Sequence, residues 1–182
     1  MKQAVLVAIL VVACSISAFG QATGSWRVGV GAEGGIPIGD FSNFASLGIG
    51  GIVKASYVVD PTFEVTLKTG YLSFSGKDIT VTFLGVSTTV SGGSAGIIPI
   101  LVGGKYYFMP GDTRVYGDAE VGMFSISNGG GTKFGFAPAL GAEFKAGDKM
   151  WVDVHGNYSY ISTDVISTSF IGFGVGLVFD LQ

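Results

Sequence analysis

The chain of 182 residues carries a formal net charge of −3, and 13% of its residues are charged where soluble domains average about 25%. One cysteine and one histidine rule out a disulfide framework and a zinc cluster of those residues, and scattered basic residues give nucleic acid no electrostatic footprint. The 31 glycines, more than double the usual share of about 7%, and a mean hydropathy of +0.55 argue against an ordinary soluble domain.

The first element is a leader. Met1-Lys2-Gln3 supplies one positive charge, Ala4 to Ala13 is an unbroken apolar run, and Ala18-Phe19-Gly20 places small residues at the −3 and −1 positions of a cleavage site. Residues 1–20 therefore read as a secretory signal peptide, and 21–182 as one exported domain. Val11-Val12-Ala13-Cys14 loosely resembles a lipoprotein box, but cleavage there would leave too short a signal. The apolar run falls short of the roughly 20 residues a spanning helix needs, and nothing downstream offers such a helix.

Beyond the leader, apolar residues alternate with polar residues or glycine. The last segment shows it most plainly, with Ile171, Phe173, Val175, Leu177, Phe179 and Leu181 on one face and Gly172, Gly174, Gly176, Val178 and Asp180 on the other. Tight-turn clusters stand at Val59-Asp60-Pro61, Met109-Pro110-Gly111-Asp112 and Ala146-Gly147-Asp148. The midpoints between them and the chain ends fall in Gly39–Asn43, Phe83–Val86, Asn128–Gly131 and Ser162–Asp164, all turn-prone. Strands are thus expected at 26–37, 47–58, 62–74, 97–108, 113–126, 133–145, 149–161 and 169–181. The predicted fold is all-β, an eight-stranded antiparallel up-and-down transmembrane β-barrel, since a closed barrel satisfies every backbone group in lipid without a helix.

One face of these strands is continuously apolar, through Trp26, Val28, Val30, Ile49, Val53, Tyr57, Phe63, Val65, Leu67, Ile98, Ile100, Val102, Val121, Leu140 and Val154. Its rings gather near the strand ends, as aromatic girdles do at the two bilayer interfaces. The other face carries Arg27, Glu33, Lys54, Glu64, Lys68, Lys105, Arg114, Asp118, Glu120, Glu143, Lys145, Asp153 and Asp180. Charges held away from water need partners. We therefore expect an interior ion-pair network of Arg27, Lys54, Glu64, Lys105, Asp118, Glu120, Glu143, Lys145, Asp153 and Asp180. The expected pairs are Arg27 with Asp180, Lys54 with Glu64, Lys105 with Asp118, and Lys145 with Asp153; Glu64 and Lys105 also fall opposite each other. Inward glycines crowd the first, second and last strands (Gly29, Gly31, Gly35, Gly48, Gly50, Gly172, Gly174, Gly176). They form a thin wall expected to accommodate bulky Leu101, Lys105, Tyr107, Tyr116 and Phe124 on the opposite wall, because eight strands leave room only for side chains. His155, mid-strand and inward beside Asp153 and Asn157, reads as a hydrogen-bonded interior residue. No nucleophile or acid/base group is placed for catalysis, and neither a cofactor nor a metal is implied.

With these residues in place, the chain resembles the small bacterial outer-membrane β-barrel proteins of the OmpA/OmpX-like class, porin-family barrel domains. The resemblance rests on Ser17-Ala18-Phe19-Gly20-Gln21, on Ile98 to Phe108 before a short turn, and on the alternating last strand. It implies residence in the outer membrane of a Gram-negative bacterium, contact with its lipid, and insertion by the barrel-assembly machinery. The family usually ends in an aromatic residue, whereas this chain ends Phe179-Asp180-Leu181-Gln182. The longest connection, Ser75 to Gly96, holds two β-prone runs expected to prolong a strand pair beyond the membrane as a tall external hairpin. Ile79, Val81, Phe83, Val86 and Val90 share its outward face and are candidates for binding an external protein partner or surface. The functional expectation is a non-enzymatic structural or adhesive protein with a side-chain-filled interior. The alternatives are a narrow pore for ions or small solutes and a soluble lipocalin-like ligand-binding barrel.

Overall fold

Alternation this long demands a sheet with two differently solvated faces, and a sheet in lipid must close on itself to leave no unpaired edge. A computed structural model of the chain describes residues 24–83, 86–90, 92–109, 111–127, 129–163 and 168–181. The leader expected over 1–20 lies outside the described residues, as do Gly85, Pro110, Asn128 and Asp164 of the expected turns. The strands are β1 (Trp26–Ile38), β2 (Ala45–Asp60), β3 (Phe63–Gly76), β4 (Ile79–Phe83), β5 (Val86–Val90), β6 (Ser94–Tyr107), β7 (Thr113–Ile126), β8 (Gly131–Lys145), β9 (Met150–Ile161) and β10 (Thr168–Leu181). Eight of them close into an antiparallel barrel in the order β1-β10-β9-β8-β7-β6-β3-β2, and β4 pairs with β5 in a separate two-stranded ribbon. The seam between β1 and β10 runs unbroken from Trp26 opposite Leu181 to Ile38 opposite Ser169.

Turn chemistry sets where the strands stop. Gly39 takes φ +59, a left-handed value that favours glycine, and opens the 3₁₀ turn Gly39–Asn43 between β1 and β2. At the β2–β3 turn the Thr62 hydroxyl and backbone N–H each donate to Asp60 Oδ1 at 2.7 Å, which also holds that carboxyl below its ordinary range. Gly111, at φ +133, turns the chain between β6 and β7. The ribbon continues the hairpin beneath it: β3 and β6 pair from Phe63 opposite Tyr106 to Ser75 opposite Ser94, and β4 and β5 resume in the same register from Ile79 opposite Val90 to Phe83 opposite Val86. Between the two, the Gly76 N–H donates to the Gly93 carbonyl at 2.6 Å.

The outward face is apolar and uncovered, with Ile49 71% and Leu140 67% exposed. The interior divides into two layers. Toward the short-turn end it is charged, with Arg27, Glu64, Lys105, Asp118, Glu120, Glu143 and Asp153 all buried. Toward the long-loop end it is apolar: Leu72, Phe74, Ile97, Leu101, Phe124, Ile161 and Phe170 form one buried cluster, against which Phe41 of the 3₁₀ turn packs. Phe74 is the hub, its ring centroid 5.2 Å from those of both Phe41 and Phe170.

The thin-wall expectation needs correction. Lys105 and Tyr116 do face Gly29, Gly31 and Gly176 across a cavity of about 30 Å³, room for a water or two. Elsewhere the bulk over the glycines comes from strands one or two places away around the ring. A Cβ at Gly48 would lie 2.5 Å from the Phe74 ring, one at Gly35 would lie 2.8 Å from it, and one at Gly174 would strike the His155 imidazole. In a lumen this narrow a large inward ring leans sideways over its neighbour, so the glycine is needed beside the ring as well as across from it.

Candidate functional site

The interior polar layer is three linked clusters. In the first, Arg27 on β1 spreads its guanidinium over three carboxylates: Nη1 donates to Glu64 Oε1 at 2.6 Å, Nη2 to Glu143 Oε2 at 2.8 Å and Nε to Asp180 Oδ1 at 2.6 Å. Lys105 Nζ bonds Glu143 Oε1 at 2.7 Å and sits 4.2 Å from the Tyr116 ring centroid, while the Tyr107 hydroxyl lies 3.0 Å from both Glu64 and Glu143. In the second, Lys54 crosses the lumen from β2 to β7, where Nζ lies 2.6 Å from Asp118 Oδ2 and 2.9 Å from Glu120 Oε1. In the third, Lys68 Nζ lies 2.9 Å from Glu33 Oε2, His155 Nδ1 lies 2.5 Å from Asp153 Oδ1, and the Tyr116 hydroxyl donates to Asp153 Oδ2 at 2.6 Å.

Of the pairings expected from the sequence, Arg27 with Asp180 forms and three do not. Glu64 and Lys105 are opposite in register, as are Lys105 and Asp118, yet Lys105 reaches Glu143 and Glu64 meets Arg27. Lys54 takes Asp118 and Glu120 instead of Glu64. The reason is length: a lysine rooted in the wall carries its ammonium toward the barrel axis, where strands two or more places away deliver their carboxylates. Lys145 stands outside the network. It is exposed at the rim as the last residue of β8, and the β8–β9 register sets Glu143, not Lys145, opposite Asp153. Glu33, Lys68 and His155 join the network although they were not among its expected members; each was legible as an inward position. Trp151 was missed: buried at 4% exposure, it donates from Nε1 to Asp180 Oδ2 at 3.0 Å and carries the Arg114 guanidinium 3.8 Å above its ring. Among the described residues no group of His, Cys, Asp and Glu is arranged to hold a metal ion.

A wider recess opens at the short-turn end, about 470 Å³ in volume and bordered by Arg27, Glu64, Arg114, Lys149 and Asp180. It ends on the polar clusters, and the apolar cluster fills the lumen beyond them. Arg27 and Glu64 are therefore its floor.

A closed eight-stranded barrel with an uncovered apolar exterior, apolar rings at both rims (Trp26 against Tyr57 at 5.3 Å, Phe136 against Tyr160 at 5.2 Å) and an ionic interior is built for a lipid bilayer. The family model for the outer membrane protein β-barrel domain matches residues 6–179. The chain belongs to this family. Its place is the bacterial outer membrane, with membrane lipid around the barrel. The fold is shared by solved structures at low identity. OprG from Pseudomonas aeruginosa is 13% identical with a TM-score of 0.63, covering 90% of this chain and 98% of that one. Neisserial surface protein A is 14% identical with a TM-score of 0.61, covering 85% and 96%. Ail, the attachment invasion locus protein of Yersinia pestis, solved with the heparin analogue sucrose octasulfate, is 16% identical with a TM-score of 0.52, covering 87% and 100%. No curated protein matches the sequence.

Outer-membrane barrels keep short turns in the periplasm and longer loops outside. That rule predicts that the 470 Å³ recess opens to the periplasm and that the β4–β5 ribbon, at the end closed by the apolar cluster, stands outside the cell. The ribbon is rooted in the barrel rim: Lys77 Nζ donates to the Ser42 carbonyl at 2.6 Å, the Lys77 N–H to the Phe44 carbonyl at 2.9 Å, and the Gly92 N–H to Asp78 Oδ1 at 3.0 Å. The outward placement expected for the side chains of Ile79, Val81, Phe83, Val86 and Val90 lies outside the described residues; their backbones form the paired strands.

Proposed function

We propose that this outer-membrane barrel is a non-enzymatic, non-conducting membrane anchor that presents its β4–β5 ribbon to a protein partner or surface outside the cell, after insertion by the barrel-assembly machinery. The observation that carries the reading is the division of the hairpin. Its lower part, β3 and β6, is built into the wall, and its upper part continues in the same register as two strands that, among the described residues, pair with each other and with no strand of the wall. Such a ribbon has two outer edges that no further strand covers among the described residues, and strand addition by a partner uses edges of this kind. The sealed outer end supports the non-conducting half of the proposal, because a solute would have to displace Phe74 and its neighbours from a packed apolar cluster. That cluster also weighs against the narrow-pore alternative.

Replacing residues 79–90 with a short Gly/Ser turn, while keeping Lys77, Asp78 and Gly92 at the root, tests the ribbon. Heat-modifiable mobility of the barrel on gels should be unchanged, and attachment of cells bearing the protein to host or bacterial surfaces should fall to the level of cells without it. Attachment unchanged by the deletion would place the binding surface elsewhere. Steady ion conductance of the wild-type protein in planar bilayers would overturn the sealed interior.

A further inference from the structure

The recess at the short-turn end has a closed floor, so what enters it can be held but not passed on. The charged groups bordering it are Arg27, Arg114 and Lys149 against Glu64, Asp148 and Asp180. Arg27 binds both acids of the floor, Glu64 and Asp180, and the second oxygen of Asp180 accepts from Trp151 Nε1 at 3.0 Å. Glu143, opposite Arg114 in register, gives one oxygen to Lys105 and the other to Arg27. Among the described residues this leaves Arg114 with no carboxylate within ion-pair distance, and Lys149, exposed in the β8–β9 turn beside exposed Asp148, has none either. The Arg114 guanidinium lies over the Trp151 ring, 3.8 Å from its centre, with the Tyr107 ring centre 5.6 Å away. Stacking engages the face of this planar group and keeps its N–H donors, which lie in its plane, for another partner. Among the described residues none of those donors is hydrogen-bonded.

A guanidinium held by two rings with its fork unspent is a preformed receptor for a planar oxyanion. The free charges narrow the class of that anion. Arg27 cancels the acids of the floor through direct ion pairs, and Arg114 and Lys149 against Asp148 leave one positive charge unmatched, which suits a monoanion better than a dianion. The volume of about 470 Å³ lies within the roughly 300–1,000 Å³ typical of small-ligand sites. We infer that the recess binds a monoanionic carboxylate, such as the free C-terminus of a short peptide, with Arg114 as the fork that grips it and Lys149 as a second cation at the rim. On the orientation predicted above, the ligand comes from the periplasm. The site is independent of the β4–β5 ribbon, which stands at the other end of the barrel, so either can fail without the other.

The test is a titration of the refolded full barrel at pH 8 with N-acetyl-dialanine, read by calorimetry and by the emission of Trp151, on which Arg114 stacks. Binding should saturate and change that emission. The C-terminal amide of the same peptide, which has lost the charge, should not bind, and inorganic phosphate, largely dianionic at this pH, should bind more weakly than the acid. Arg114→Lys, which keeps the charge and loses the fork, should weaken binding about tenfold. Lys149→Ala should weaken it about two- to fivefold. Lys145→Ala, exposed outside the recess, should leave it unchanged. Because Lys149 is exposed, its variant tests the site even where Arg114→Lys fails to give a heat-modifiable barrel. If the acid does not bind, if the amide binds as tightly, if phosphate binds more tightly, or if neither Arg114→Lys nor Lys149→Ala weakens binding, the inference is wrong.

Discussion

Arg27 holds more of the interior together than any other side chain. Its guanidinium bonds carboxylates from β3, β8 and β10 and passes 5.8 Å from the Trp151 ring, so it ties four walls of the barrel at one depth. Replacing it with leucine leaves Glu64 and Glu143 buried with one fewer cation, and removal of one partner from a buried ionic set costs roughly 3–5 kcal/mol. Arg27→Leu should therefore lower unfolding free energy by about that amount in urea titrations of the refolded protein. Arg27→Lys should recover only part of it, because a point charge cannot serve three separate carboxylates. Lys145→Ala supplies the contrast: exposed at the rim, it should shift stability by less than about 0.5 kcal/mol. Equal losses at Arg27 and Lys145 would contradict the assignment of one to the lumen and the other to the rim.

At the scale of elements, the long-loop ends of the strands behave differently from their middles. In β3 the apolar residues switch faces, from outward Val65 and Leu67 to inward Leu72 and Phe74, and at Ile97-Ile98 and Phe170-Ile171 both faces are apolar. This change of parity is the signal for the apolar cluster, and strict alternation hides it because alternation assumes one wet and one dry face throughout. Phe74→Ala should cost about 3–5 kcal/mol as a large-to-small core change. It should also leave a lumen in which current becomes measurable at the outer end. A variant that loses that stability yet stays silent in planar bilayers would mean that the remaining residues of the cluster reseal the barrel. The glycines at 35 and 48 belong to the same element-scale design, since the Phe74 ring occupies the space their side chains would need.

For the whole molecule, orientation decides which end meets which compartment. The three short turns and both described chain ends lie at one end of the barrel, and the 3₁₀ turn, the ribbon and the β7–β8 and β9–β10 connections at the other. With short turns in the periplasm, an epitope inserted after Gly129 should be reached by antibody on intact cells. One inserted after Gly111 should be reached only after the outer membrane is permeabilised. Labelling of the Gly111 insert on intact cells would invert the barrel, and with it the assignment of the recess and the ribbon.

The sequence by itself determined the eight wall strands to within a few residues, the closing antiparallel order, the lipid-facing set and the identity of nearly every charged residue in the lumen. All of these follow from a period of two and from turn residues at regular intervals, which are local properties of the chain. The ribbon was also legible, because the centre of the β3–β6 hairpin is fixed by the turns that flank it. Only the tertiary structure decided which charge meets which. In a closed barrel the ends of long side chains converge on the axis, so Lys54 finds Asp118 and Glu120 across the lumen and passes over nearer neighbours along the wall. The same convergence decided the division of the interior into an ionic layer and an apolar one, since which inward side chains share a depth depends on the stagger of all eight strands around the closed ring.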